Sequence, residues 1–89
     1  MMVTKTLEIT CSEGLRAKTA ALFVHTASKF DSQILIEKSN KKINAKSIIG
    51  VLSLGVKKDE TINVIIMGSD EVAAGEALAQ LVESDFQRA

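Results

Sequence analysis

The chain has 89 residues, 46% of them hydrophobic and 25% charged; a chain of this length buries roughly 60 to 65% of its unfolded surface, enough for one core and too little for two ordinary domains. A composition this close to the globular average argues against disorder and against a fibrous or repeat protein. Lysine plus arginine equals aspartate plus glutamate at 11 each, and three phenylalanines stand without tryptophan or tyrosine, so neither a bulk positive field nor base-stacking platforms point to nucleic acid.

The first element expected is a strand. From Thr4 to Thr10 polar and apolar residues alternate, with Leu7 and Ile9 on one side, the period of a half-buried strand. It runs into the polar turn Cys11-Ser12-Glu13-Gly14. On a helical wheel Ala17 to Lys29 gathers Ala20, Phe23, Val24 and Ala27 on one side and Lys18, His25 and Lys29 on the other, an amphipathic helix. Leu22 falls among the charged residues and is expected to face water.

Gln33 to Glu37 and Lys41 to Asn44 flank Ser39-Asn40 and predict a hairpin. Ile48 to Leu54 predicts a brief helix, with Ser47 placed to cap its start and Gly55 to end it. Thr61 to Met67 is β-branched and strongly apolar, the best strand in the chain. Glu71 to Phe86 predicts the last helix, with Ala74, Ala77, Leu78, Leu81 and Val82 on one face and Glu76, Gln80 and Glu83 on the other. The order β-α-β-β-α-β-α implies an α+β fold in one domain over residues 1–89, a four-stranded antiparallel sheet covered by helices on one face. Cys11 is the only cysteine, the start does not resemble a signal peptide, and no apolar run approaches the ~20 residues of a membrane span. A soluble, cytoplasmic protein is expected.

Few residues offer chemistry. His25 is the sole imidazole, so a histidine metal cluster or a serine or cysteine triad lacks parts, and His25 is expected as a surface residue. Cys11 reads as a plain thiol near a turn. No acid, base and nucleophile can be assembled, which argues against an enzyme, and no cofactor is implied. Ser47 is the exception. As an N-cap it lies where the unpaired N–H groups of a helix start suit an anion, and Lys46 beside it favours one too. Phosphorylation would add nearly two negative charges for a partner's basic groups to read. The plain alternative is a cap and nothing more. Ile48, Ile49, Val51, Leu52 and Leu54 make the brief helix apolar almost all round. Val51 with Leu54 forms one side, and Ile48, Ile49 and Leu52 form another beside Ser47. Either the second side is an exposed docking patch or the helix is wedged into the core on both sides.

Two segments carry a resemblance: GLRAKTAALFVHTASKF from Gly14 to Phe30 and NAKSIIGVLSLG from Asn44 to Gly55. They resemble HPr, the histidine-containing phosphocarrier of the bacterial sugar phosphotransferase system, and the likeness extends from about Thr4 to Phe86. It implies the HPr-like open-faced β-sandwich with the element order read above. Where the family has Gly, an aliphatic, His, Ala, Arg, Pro, Ala, this chain has Gly14, Leu15, Arg16, Ala17, Lys18, Thr19, Ala20. Arg16 thus stands at the former phosphocarrier position. A guanidinium stays protonated and has no lone pair for phosphoryl attack. His25, ~13 Å further along the helix in rise, cannot replace it.

Loss of that histidine with retention of the serine resembles the catabolite-repression branch of the family, the Crh proteins. This resemblance implies phosphorylation of Ser47 by HPr kinase/phosphorylase and corepressor binding to the LacI-type regulator CcpA in carbon catabolite repression. It also implies a partner-binding surface of Arg16, Lys18, Leu22, His25, Ile48, Ile49 and Leu52. Crh proteins usually carry glutamine where Arg16 stands and keep the arginine and proline that are here Lys18 and Thr19. Two alternatives stay open: an HPr-family protein with another regulatory partner, and an inactive phosphocarrier.

Overall fold

A computed structural model describes residues 2–87. Strand β1 (Met2–Ile9) leads to helix α1 (Lys18–Ala27), then β2 (Gln33–Lys38), β3 (Lys41–Asn44), α2 (Ile48–Ser53), β4 (Glu60–Met67) and α3 (Glu71–Glu83). The sheet is antiparallel throughout, in the order β1-β4-β2-β3. The two central strands carry the heaviest apolar load: Ile34 and Ile36 of β2 and Ile62, Val64 and Ile66 of β4 are at most 1% exposed, each contributing about 1.5 to 3 kcal/mol of burial. Leu7 and Ile9 of β1 extend the same face, which the helices cover. On the reverse face Thr4, Thr6, Glu8, Gln33 and Thr61 meet solvent, as expected of an antiparallel sheet with one side open.

The two ends of the hairpin meet at the Lys38–Lys41 pair, and Ser39 and Asn40 take φ values of 52° and 68°. Positive φ at both central residues is the backbone of a primed turn, which follows the natural twist of the strands. Helix α3 stops short of the expected Phe86. Asp85 and Phe86 adopt left-handed φ values of 56° and 65°. The Phe86 N–H donates to the Leu81 carbonyl at 2.8 Å and the Asp85 N–H to Val82 at 3.0 Å. This is a Schellman closure, and it turns Phe86 into the core at 7% exposure.

Leu22 corrects the reading of α1. It is half-buried and packs on the core, because α1 lies against both α2 and α3, so its covered stripe is wider than a helix on a flat sheet would have. Ala20, Phe23 and Ala27 are fully buried, while Lys18, His25 and Lys29 are exposed as the wheel implies.

Between β4 and α3 a carboxylate fastens the far end of the sheet. Asp70 accepts from the Ser32 hydroxyl and N–H and from the Asp31 N–H, and these bonds, the Ser32 hydroxyl foremost, hold its carboxyl below the usual aspartate range. A lowered folded-state pKa contributes stability that is present above the unfolded value and lost as pH falls through the folded one. Asp70→Asn is therefore expected to lower the denaturant midpoint at neutral pH and to flatten its decline on acidification below the ordinary aspartate pKa. Chemical denaturation of both proteins along a pH series checks this.

Candidate functional site

The loop from Cys11 to Ala17 is pinned on the turn that follows α2. Gly14 has φ +66°, and a Cβ built there would lie 2.3 Å from the Val56 carbonyl oxygen and 2.8 Å from the Lys57 Cα. The next residue, Leu15, donates its N–H to that same Val56 carbonyl at 2.9 Å and is itself 1% exposed. Only a residue without a side chain permits this approach.

Thr19, where the family has proline, staples the start of α1. Its hydroxyl, 3.1 Å from the Arg16 N–H that donates to it, lies within bonding distance of the Gly14 and Arg16 carbonyls, and the residue is 4% exposed. No side chain caps α1 from the Ala17 position, whose φ of 51° and ψ of −117° lie outside the regions ordinary for an L-residue. The residues just before it are held by hydrogen bonds, the Arg16 N–H to the Thr19 hydroxyl and the Leu15 N–H to the Val56 carbonyl. Arg16, Ala17 and Lys18 are all exposed, so a guanidinium faces solvent where the resemblance expects the phosphocarrier histidine.

The second half of the site is α2. The Ser47 hydroxyl accepts from the Gly50 N–H at 3.1 Å, and the backbone of Ser47 is extended, which together make it a helix N-cap. Val51 and Leu54 are buried at 0% and 7%, whereas Ile48, Leu52 and Ile49 are 39, 44 and 78% exposed. The helix is thus one-sided, and its outer apolar face adjoins Ser47. Gly55 takes φ +59° and ends the helix. The Lys38 ammonium donates to the Leu54 and Gly55 carbonyls at 3.3 and 3.2 Å, a favourable cation at a helix C-terminus. Its third bond is the 2.8 Å ion pair with Glu60. That partner and the Lys57 N–H hold the Glu60 carboxyl below the usual range.

One neighbour differs from expectation. The Lys46 ammonium does not stand over Ser47 but donates to the Phe30 carbonyl at 2.6 Å, because its long stem reaches back to the end of the α1 segment. His25 is exposed on α1. Cys11 is buried, its Sγ 3.3 Å from the Gly14 carbonyl, and burial pushes its thiol pKa up, so it is a poor nucleophile. Among the described residues no group of three histidine, cysteine or carboxylate side chains could hold a metal ion, and no helix is long and apolar enough to cross a membrane. Composition gives no hint of the Gly14 approach, the Thr19 staple or the Lys38 cap. The one available signal is glycine at the loop's tightest point.

Comparison with known proteins agrees with this geometry. The PTS-HPr family profile, described as the PTS HPr component phosphorylation site, matches residues 3–84. The HPr-like protein Crh of Halalkalibacterium halodurans is 48% identical over 84 residues, covering 94% of this chain and 100% of the relative. The HPr-like protein Crh of Bacillus subtilis is 43% identical over 84 residues, 94% of this chain and 99% of the relative. The crystal structure of HPr-C-His from Thermoanaerobacter tengcongensis superposes with a TM-score of 0.93 at 52% identity over 94% of each chain. With a matching profile across nearly all its length, relatives of this closeness and the same open-faced sandwich, the chain belongs to the HPr family.

Proposed function

We propose that this protein is a regulatory, non-carrier member of the HPr family that works in the cytoplasm as a single domain. HPr kinase/phosphorylase modifies it on Ser47, and a LacI-type regulator of the CcpA kind then binds it as corepressor in carbon catabolite repression. The observation that carries this reading is the pairing of Ser47 with the exposed Ile48, Ile49 and Leu52 face, read beside the guanidinium of Arg16 where a carrier needs an imidazole. The Crh relatives support it. The protein is not itself a catalyst in this role. It presents a surface, and the added phosphate changes how basic groups of a partner meet that surface.

Arg16, Lys18 and His25 contribute exposed polar groups from the loop and α1, and Leu22 contributes its half-exposed edge. The phosphate itself is made without rearranging the fold, since Ser47 is only half-buried and its hydroxyl touches one backbone N–H. Two incubations test the proposal. With enzyme I and phosphoenolpyruvate the protein takes up no acid-labile, histidine-type phosphate; with HPr kinase and ATP it takes up one acid-stable phosphate, located on Ser47 by mass spectrometry. Labelling of His25, or of Ser53 or Ser39 in place of Ser47, contradicts it.

The patch has its own test. Leu52→Asp is expected to weaken regulator binding while changing stability by roughly the ±0.5 kcal/mol of an ordinary surface substitution. Leu78→Ala, at a fully buried position, is expected to cost about 2 to 5 kcal/mol. Thermal unfolding of the two variants beside a binding titration separates the effects. Unfolding caused by Leu52→Asp would make the helix a core element and remove the docking face.

A further inference from the structure

The helices cover one face of the sheet and leave the other open. Pairing across the strands sets the open face in rows: Met2 beside Met67 and then Gln33, Ile65 between Thr4 and Leu35, Asn63 between Thr6 and Glu37, and Glu8 beside Thr61. Strand β3 adds Asn44 beside Leu35 and Lys42 beside Glu37. The first two rows hold all four apolar residues that the described strands place on this face, Met2, Leu35, Ile65 and Met67, and the last two rows are polar throughout. Met2 is 60% exposed. The other three are half-buried among their sheet neighbours and, unlike Val3 and Ile43 on the covered face, do not join the core. An apolar patch at one end of an open face, with polar residues beyond it, has the make-up of a contact surface.

We propose that a second copy of this chain covers this face, the two sheets stacking about a two-fold axis that runs along the strands. Aligned sheets pack ~10 Å apart with their strands within about 30° of each other. Such an axis keeps each row at its own level and, with the strand order β1-β4-β2-β3, sets β4 over the second copy's β2 and β1 over its β3. The two apolar ends then coincide, and Ile65 meets the second copy's Leu35, twice by symmetry. Glu8, on the β1 rim, falls two residues, ~7 Å, along the strand from the second copy's Lys42 on the β3 rim, a diagonal that a lysine side chain spans. An axis across the strands would lay apolar rows on polar ones or overlap only half of the face, so the face itself selects the first arrangement. Four strands at ~4.8 Å spacing and about seven residues at ~3.4 Å give a footprint of about 450 Å² on each copy. A stable interface takes ~800 Å² from each partner, so this dimer is weak and reversible. It leaves α1, α2 and Ser47 on its outside and requires nothing of the corepressor reading.

Sedimentation equilibrium and amide NMR spectra of the unmodified full chain, taken over a dilution series, test this. A reversible monomer–dimer equilibrium is expected, with a dissociation constant of about 0.1 to 1 mM and concentration-dependent shifts confined to residues 2–4, 33–35, 44 and 63–67. Leu35→Lys and Met2→Lys, both on the open face, are each expected to raise that constant about tenfold or more. Val72→Lys on α3, at another exposed apolar position, leaves it unchanged. Glu8→Lys and Lys42→Glu each weaken the dimer, and the double variant recovers it. In a mixture of labelled and unlabelled chains, Ile65 shows intermolecular contacts with Leu35. A chain that stays monomeric up to about 1 mM overturns the proposal. So do association that survives Leu35→Lys but not Val72→Lys, and a double charge variant that recovers nothing. A slowly exchanging dimer with unchanged signals from the open face would mark exchange of β1 between copies and contradicts it too. Changes at the same residues brought on by neutral lipid vesicles, independent of protein concentration, would give the face to a bilayer and overturn the second copy.

Discussion

Gly14→Ala is expected to destabilise the protein by about 2 kcal/mol or more, at the upper end of what one strained backbone position costs. Two effects add. The position has φ +66°, which disfavours any residue with a side chain, and the new methyl would stand 2.3 Å from the Val56 oxygen, so backbone must move. That movement stretches the bond from Leu15 to Val56 and exposes Leu15, which is otherwise buried. Gly55→Ala provides the comparison. It shares the positive φ, 59°, but a Cβ there meets nothing within 4 Å, so it is expected to cost only the conformational part, about 1 to 2 kcal/mol. Equilibrium denaturation of both variants measures the difference. Equal losses would show that the loop is not pressed on the turn.

Ser47→Ala is expected to abolish phosphate incorporation from HPr kinase and ATP entirely, and with it the phosphorylation-dependent part of regulator binding. The fold should remain. Loss of the 3.1 Å cap bond to the Gly50 N–H costs about 1 kcal/mol, a small share of the ~5 to 15 kcal/mol that holds a typical domain. The loss of labelling is thus separable from unfolding: the variant keeps its amide spectrum and its unfolding transition while taking up no phosphate. Incorporation that persists in Ser47→Ala would move the modified residue elsewhere.

Much of the fold is legible in the sequence because the driving patterns are local. Alternation in β1 and the stripe of α1 each state which side is buried, the apolar run of β4 marks a strand, and the pair Ser39-Asn40 marks the hairpin. For α2 the sequence separates Ile48, Ile49 and Leu52 from Val51 and Leu54 but leaves open whether that second side faces solvent or a second part of the core; the structure exposes it. What the sequence conceals depends on contacts between distant segments. Leu22 reads as a solvent residue on an isolated wheel and is half-buried because α2 and α3 flank α1. The end of α3 is hidden because the helical period continues through Phe86 while the left-handed Asp85 and Phe86 close the helix earlier.

The site divides in the same way. Arg16 in place of a histidine and Ser47 before an apolar turn are statements about residue type, so the proposed loss of carrier chemistry and the candidate serine both start from the sequence. Lys46 is not: its charge is next to Ser47 in sequence, but its ammonium is bound to the Phe30 carbonyl. Thr19 is known from the sequence only as the residue in the place of proline. Its hydroxyl, buried among the Gly14 and Arg16 backbone groups, gives the start of α1 a bond that a proline could not make.

Titration of a LacI-type regulator of the CcpA kind with the unmodified protein and with the Ser47-phosphorylated protein, at one ionic strength, puts the proposed switch to the test. The phosphorylated form is expected to bind at least about tenfold more tightly, the gain of a charge-assisted contact with the regulator's basic groups. Equal affinity of the two forms would contradict the switch.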